Sequence, residues 1–164
     1  MLVFYLERKY LLISIIMIIL DGIISYYIPS YFHQLNYFYP MLSISFIPFI
    51  YLSNKKHYHW LIIIIGIIYD LLYSSIFLYN TIIFFILVNL DIRISKYFKN
   101  SLLLIILLTL INIIIYDVIG FLLVFITSYQ SITIYDLTYK INHSLILNIL
   151  SVFVSWFLLK KDLL

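Results

Sequence analysis

The sequence predicts an all-α integral membrane protein, a compact bundle of six transmembrane helices forming one polytopic domain over residues 1–164. Of the 164 residues, 65% are hydrophobic and only 10% are charged, whereas about a quarter of a soluble domain is charged. Isoleucine and leucine runs recur along the whole length, so the apolar excess is not one anchor attached to a globular domain. Without cysteine, the chain has no disulfide framework, thiolate nucleophile or cysteine-bound zinc.

Mostly apolar segments of about 20 residues can cross a hydrocarbon core of about 30 Å as helices. The first predicted span begins after Arg8 and Lys9, as a signal peptide does. It has no small-residue cleavage site and contains Asp21, so it is predicted to be a permanent helix. The fifth run exceeds the bilayer and is expected to tilt or to project from it. The predicted spans, in chain order, are 6–27, 37–53, 58–75, 77–94, 101–127 and 140–159.

The second span is the weakest, because Pro40 and Pro48 leave only short clean apolar stretches, and a re-entrant hairpin is its rival. Charge favours a crossing. If all six segments cross, Lys140 is the only one of ten Lys and Arg residues on its side of the membrane. The positive-inside rule then puts both termini in the cytoplasm. A net charge of +3, with basic residues in short clusters between apolar runs, argues against a nucleic-acid partner.

An aspartate recurs inside the first, third and fifth predicted spans. All three spans run in the same direction, so the pattern is consistent with three consecutive helical hairpins, each placing one carboxylate in the outer half of the membrane. A coding bias that favours Ile, Tyr and Asp together is the alternative explanation of this short match. The stretches are IILDGII at 18–24, IIYDLLY at 67–73 and IIYDVIG at 114–120, which contain Asp21, Asp70 and Asp117.

The aspartates share their helix faces with small or polar side chains. The sixth span carries a comparable stripe without an acid. Such stripes are expected to face neighbouring helices, where small residues permit close approach and polar groups bond across. We therefore predict Asp21, Gly66, Asp70, Asp117 and Asn148 to be helix-packing or partner-interface residues. The face of the third span comprises Gly66, Tyr69, Asp70, Tyr73 and Ser74, and that of the sixth Ser144, Asn148, Ser151 and Ser155.

Two interpretations of the membrane aspartates stay open. Carboxyl groups in a low-dielectric medium can relay protons or cations, which would indicate a transport path. Alternatively, each acid is protonated or hydrogen-bonded to Tyr or Ser and fixes helix packing, or lies close enough to the surface to be hydrated. The packing interpretation is favoured, because no intramembrane Lys, Arg or His is placed to pair with the acids.

No motif supports catalysis or metal binding. His57 and His59 lie two residues apart, which is poor spacing for ligands on one helix, and with their aromatic neighbours they suit a membrane edge. His143 and Ser144 have only Asp136 nearby, across a predicted boundary. The sequence contains no nucleophile elbow, HExxH or phosphate-binding glycine loop. We therefore predict no catalytic residue, no metal and no cofactor.

Aromatic clusters at 26–32, 37–40 and 128–139 are expected at the outer membrane interface, where tyrosine rings with a polar tip are favoured. They predict an aromatic belt. Together they also form an apolar rim with few charges, which a partner's transmembrane or juxtamembrane segment could contact.

Several features occur together over nearly the whole chain: a basic N-terminus, a polar break in the first span, an aromatic–proline step before the second, and a G-x-x-x-D motif in the third. The residues involved are Asp21, Gly22, Tyr39, Pro40, Gly66 and Asp70. In these features the chain resembles the MreD family of bacterial cell-shape proteins. That family usually has a second glycine shortly after the aspartate, where this chain has Phe77 or its neighbours. The departure implies a bulkier contact at the turn.

The resemblance implies a non-catalytic scaffold in the bacterial plasma membrane that acts in cell shape and peptidoglycan elongation. Its expected partners are the single-spanning MreC, RodA-type glycosyltransferases, class B penicillin-binding proteins, the actin-like MreB and membrane lipid. Tyr39 and Pro40 join the interface candidates on this basis. The rival is a substrate-binding subunit of an energy-coupling-factor-type vitamin transporter, of similar size. Such a subunit would have an outward pocket lined by Asp21, Asp70, Asp117 and Asn112.

Overall fold

The computed structural model describes residues 2–31, 41–53, 58–74, 76, 78–98, 101–127 and 133–163. These residues form six α-helices and contain no strand, which confirms the all-α prediction. The helices are α1 (Leu2–Tyr31), α2 (Leu42–Ser53), α3 (Tyr58–Tyr73), α4 (Tyr79–Ser95), α5 (Leu102–Thr127) and α6 (Ile134–Leu163).

Three of the helices are long and apolar enough to cross a membrane, within the ranges Lys9–Tyr27, Leu102–Leu123 and Ile134–Leu159. The middle range, in α5, is the most apolar, with a mean hydropathy of 2.8. Apolar segments of this length indicate association with a membrane. The helices α2 and α3 are apolar but shorter, with apolar ranges of Leu42–Leu52 and Tyr58–Tyr73.

The short helix α2 lies at the centre of the described bundle and contacts each of the other five helices. Every side chain from Met41 to Leu52 is buried. The 12 described residues of this helix are about 18 Å long. A helix that is apolar all round is stable when protein surrounds it. The predicted span 37–53 therefore appears as a core helix from Leu42, and residues 37–40 lie outside the described residues.

The core around α2 is rich in aromatic rings. Phe46 and Phe49 stack with their ring centroids 5.5 Å apart, and Tyr10 of α1 lies 6.1 Å from Phe46. All three side chains are fully buried. Large rings supply much of the apolar area that a small bundle can bury. Among the described residues, the weakest predicted span thus supplies two of the four largest fully buried side chains.

The connection between α3 and α4 contains a left-handed residue. Leu78, which directly precedes α4, has a φ of 65°. This backbone region is comfortable for glycine, and a residue with a Cβ pays on the order of 1–3 kcal/mol there. The connection therefore carries backbone strain at Leu78, and Phe77, where a bulkier contact was predicted, lies outside the described residues.

Candidate functional site

Asp21 of α1 holds the start of α2. Its carboxylate accepts hydrogen bonds from the backbone N–H groups of Leu42 (2.7 Å) and Ser43 (3.0 Å) and from the Ser43 hydroxyl (2.6 Å). The first N–H groups of a helix have no partner within the helix. Asp21 is only 3% exposed, so these donors would otherwise be buried without an acceptor. The acid acts as an N-terminal cap delivered from another helix.

The polar stripe of α6 meets the same helix. Asn148 Oδ1 accepts a hydrogen bond from the Met41 N–H (3.0 Å), and the hydroxyls of Ser151 and Ser45 lie 2.8 Å apart. Asn148 is fully buried. Three successive backbone N–H groups at the start of α2 therefore find acceptors on α1 and α6, which explains how a helix can begin inside the bundle.

Asp70 of α3 does the same for α4. It accepts from the backbone N–H groups of Asn80 (2.8 Å) and Thr81 (3.0 Å), and from their side chains at 2.9 and 2.7 Å. The Tyr116 hydroxyl of α5 donates to Asn80 Oδ1 at 2.8 Å. Asp70, Asn80 and Thr81 are buried. A connected polar network therefore joins α3, α4 and α5.

Gly66 makes this network possible. It lies one turn before Asp70 on α3, and a Cβ added there would lie 2.6 Å from Thr81 Cα and 3.0 Å from Thr81 Oγ1. Such contacts are shorter than van der Waals separations, and the first of them is to backbone. The G-x-x-x-D spacing thus has a local explanation: glycine brings α4 close enough for the aspartate to reach its first turn.

Asp117 of α5 pairs with a cation instead. Lys140 Nζ of α6 lies 2.9 Å from Asp117 Oδ1 and 5.9 Å from the Tyr116 ring centroid. The expectation that no basic residue is placed to pair with these acids was therefore wrong for Asp117. The predicted sixth span began at Lys140, whereas α6 begins at Ile134, which places the lysine within the helix and beside α5.

Each of the three aspartates contacts the helix that follows its own, two through hydrogen bonds and one through an ion pair. Asp21 and Asp70 accept from the first backbone N–H groups of the helix that follows, and Asp117 binds a side chain of the helix that follows. The start of α6 is capped locally, where Thr133 and Asp136 bond to each other. Each acid therefore ties its helix to the next one along the chain, as a repeat of helical hairpins would require.

A fourth buried acid was missed by sequence reasoning. Asp91 of α4 is fully buried, and its Oδ2 accepts a hydrogen bond from Asn112 Nδ2 of α5 at 3.1 Å. Within the described residues, Asp91 Oδ1 and Asn112 Oδ1 have no hydrogen-bond partner. Asp91 interrupts the apolar run LVNLDIRI much as the other acids interrupt theirs. It was not predicted because it lies close to Arg93 and does not follow the Ile-Ile-x pattern of the other three acids.

A cleft of about 370 Å³ lies between α1 and α3 and is lined by Asp21, Gly22, Ser25, Tyr26, Tyr69 and Tyr73. The Tyr73 hydroxyl crosses to α1 and donates to the Ile18 carbonyl at 2.8 Å. The transporter alternative predicts a pocket lined by Asp21, Asp70, Asp117 and Asn112, and Asp21 is the member of that set that lines this cleft. The other three contact neighbouring helices: Asp70 bonds to Asn80 and Thr81, Asp117 pairs with Lys140, and Asn112 bonds to Asp91.

The remaining predicted positions are placed as follows. Tyr39, Pro40 and His57 lie outside the described residues. His59 packs between the rings of Tyr58 and Phe85, at centroid distances of 3.9 and 5.5 Å. His143 stacks on Tyr139 at 3.9 Å. Among the residues that the structure describes, no group of three or more His, Asp or Glu side chains is arranged to hold a metal ion.

These features define the chain as an all-helical protein with three helices of membrane-spanning length, tied together by buried carboxylates. No protein-family model, curated protein or solved structure matches the chain.

Replacing Lys140 with methionine is expected to lower the free energy of unfolding by about 1 kcal/mol. Breaking a fully buried pair costs about 3–5 kcal/mol, but the lysine side chain is 42% exposed and solvent weakens the pair. Unfolding by sodium dodecyl sulfate in mixed micelles measures the change. Lys140→Arg, which keeps the charge, should unfold like the parent chain, and equal stability of Lys140→Met and the parent would contradict the role of the pair.

Proposed function

We propose that the chain is a non-catalytic membrane scaffold of the MreD type. In this proposal it crosses the bacterial plasma membrane six times with both termini in the cytoplasm. It binds MreC and helps to position RodA-type glycosyltransferases, class B penicillin-binding proteins and MreB during peptidoglycan elongation and cell-shape maintenance.

The observation that carries the proposal is the use of the membrane acids. Asp21 and Asp70 accept three and four hydrogen bonds from the starts of neighbouring helices, and Asp117 binds Lys140. Acids that are bonded across helices in this way hold a bundle together. Such a bundle can act through lateral contacts with other membrane chains, as a scaffold does.

The proposed topology also accounts for the position of Lys140. It is the one Lys or Arg residue that six crossings would place outside, against the positive-inside preference. Its ammonium group contacts Asp117, so the exceptional charge serves to compensate a buried acid. Pairing with a buried acid therefore explains why one lysine departs from the positive-inside preference.

Lateral contact requires exposed apolar faces, and the outer helices have them. On α1 the exposed face includes Leu12, Ile16 and Ile19, and on α6 it includes Val154 and Phe157. Packing between transmembrane helices comes from van der Waals fit and from polar groups rather than from a hydrophobic driving force. A single helix of MreC could lie along either face, with its juxtamembrane part near the aromatic segments 28–40 and 128–139.

Co-purification with the MreC protein of the same genome tests the proposal. We expect affinity-tagged chain to retain MreC in mild detergent, and MreC carrying an unrelated hydrophobic helix to be lost. Ile16→Trp and Val154→Trp alter exposed positions without touching the core, so both should fold, and the one on the contact face should reduce capture at least severalfold. Absence of MreC from the purified chain, at matched expression of both proteins, would overturn the proposal.

The cleft between α1 and α3 favours a second candidate, the substrate-binding subunit of an energy-coupling-factor-type vitamin transporter. Pockets that hold small molecules are concave and combine an apolar lining with a few polar groups. Mass spectrometry of the detergent-purified chain distinguishes the two, because a bound vitamin at a stoichiometric level would favour the transporter subunit.

A further inference from the structure

The cleft between α1 and α3 combines one carboxylate with three phenol rings. Asp21 is 3% exposed and therefore lies deep, whereas Tyr26 and Tyr73 are 76% and 44% exposed and lie towards the surface. Tyr69 packs against Tyr73 with ring centroids 5.1 Å apart. A ligand that enters this cleft meets aromatic rings first and a carboxylate behind them.

The carboxyl group of Asp21 is oriented by three hydrogen bonds. Its three donors are two backbone N–H groups and one hydroxyl, none of which carries a full charge. No cation pairs with Asp21 among the residues that the structure describes, in contrast to Asp117 and its lysine. When ionised, a carboxylate held in this way places a negative field at the base of the cleft.

The wall of the cleft is fixed by α3. The Tyr73 hydroxyl donates to the Ile18 carbonyl at 2.8 Å, which anchors the ring across the gap between the helices. A Cβ added at Gly22 would collide with that hydroxyl. The glycine therefore leaves room for the anchored ring, and the space remains open beside Asp21.

This lining selects one class of ligand. Anions are repelled by Asp21, and a purely apolar group gains little over lipid. A metal ion prefers several oxygen ligands, and the cleft offers a single carboxylate. A cation over aromatic faces is attracted by the ring quadrupoles, and cages of aromatic rings are used to bind quaternary ammonium groups. We propose that the cleft binds an organic ammonium group, either the headgroup of an amine-bearing phospholipid or a free small amine.

Binding of choline and ethanolamine to the purified full chain tests the site. In detergent without amine lipids, we expect choline to raise the midpoint of thermal unfolding in a saturable manner. Tyr26→Leu removes a mostly exposed ring, so the fold should remain while the apparent Kd rises about threefold to tenfold. Tyr26→Phe keeps a ring and should bind nearly as the parent does. Tyr97→Leu, at a position 84% exposed outside the cleft, is the matched control.

Nanodiscs distinguish the two sources of the ammonium group. Retention of phosphatidylethanolamine by the parent chain but not by Tyr26→Leu, in native mass spectrometry, supports the lipid headgroup. Saturable choline binding without retained phosphatidylethanolamine supports the free amine. The proposal is overturned if neither probe binds saturably, or if Tyr26→Leu binds as tightly as the parent. The measurement involves no partner protein, so its outcome is separate from that of MreC capture.

Discussion

Asp70→Ala is expected to lower the free energy of unfolding by about 2–5 kcal/mol. The carboxylate accepts four hydrogen bonds, two from backbone and two from side chains, at the start of α4. Hydrogen bonds between helices in membranes contribute about 0.6–1.7 kcal/mol each and do not add fully. Alanine would also leave the first N–H groups of α4 buried without acceptors, which adds to the loss.

Two neighbouring substitutions make the Asp70 measurement specific. Asp70→Asn keeps one acceptor oxygen, so its free energy of unfolding should lie between those of the parent and Asp70→Ala. Leu71→Ala alters the next residue, which is 71% exposed, and should change stability little. Unfolding by sodium dodecyl sulfate in mixed micelles gives the free energies. Equal unfolding of Asp70→Ala and Leu71→Ala would show that the carboxylate is not a structural tie.

The destabilisation caused by Asp70→Ala should involve α5 as well as the hairpin of α3 and α4. Asn80 receives the Tyr116 hydroxyl of α5 and donates to Asp70 at the same time. Members of one hydrogen-bond network are not independent, so a substitution at one changes what the others contribute. We therefore expect Asp70→Ala and Tyr116→Phe to be less than additive in combination.

Much of the helical framework could be predicted from composition and apolar run length. The starts of α3, α4 and α5 lie within two residues of the predicted 58, 77 and 101. The polar stripes also led to residues that form contacts between helices, since Asp21, Asp70 and Asn148 each bond to the start of another helix. Period and polarity carry this information because a buried polar group must find a partner.

The partners themselves could not be predicted. Sequence spacing does not reveal that Asp21 reaches 21 residues ahead and Asp70 only 10, because the length of each connection decides which N–H groups come near. The central position of α2 was hidden for a similar reason. Hydropathy reports transfer from water to an apolar medium, and that medium can be protein as well as lipid.

Gly66→Val is expected to destabilise the chain to a degree comparable with the loss at Asp70. A Cβ at this position would lie 2.6 Å from the Thr81 backbone, so α4 must move away from α3. Overpacking costs about 1–3 kcal/mol, and the displacement also lengthens the two Asp70 bonds to Thr81. The midpoint of thermal unfolding and the free energy in mixed micelles should both fall.

Replacing two glycines with alanine, one at a time, tests this expectation, because the two stability changes should have opposite signs. In an open helical position Gly→Ala stabilises by about 1 kcal/mol, because alanine has the higher helix propensity. Gly120 is such a control, since among the described residues a Cβ there would meet the Tyr79 hydroxyl alone, at 3.4 Å. We therefore expect Gly120→Ala to be neutral or stabilising and Gly66→Ala to be destabilising. Equal stabilisation by both would show that α3 and α4 are not held in the close contact on which the Asp70 network depends.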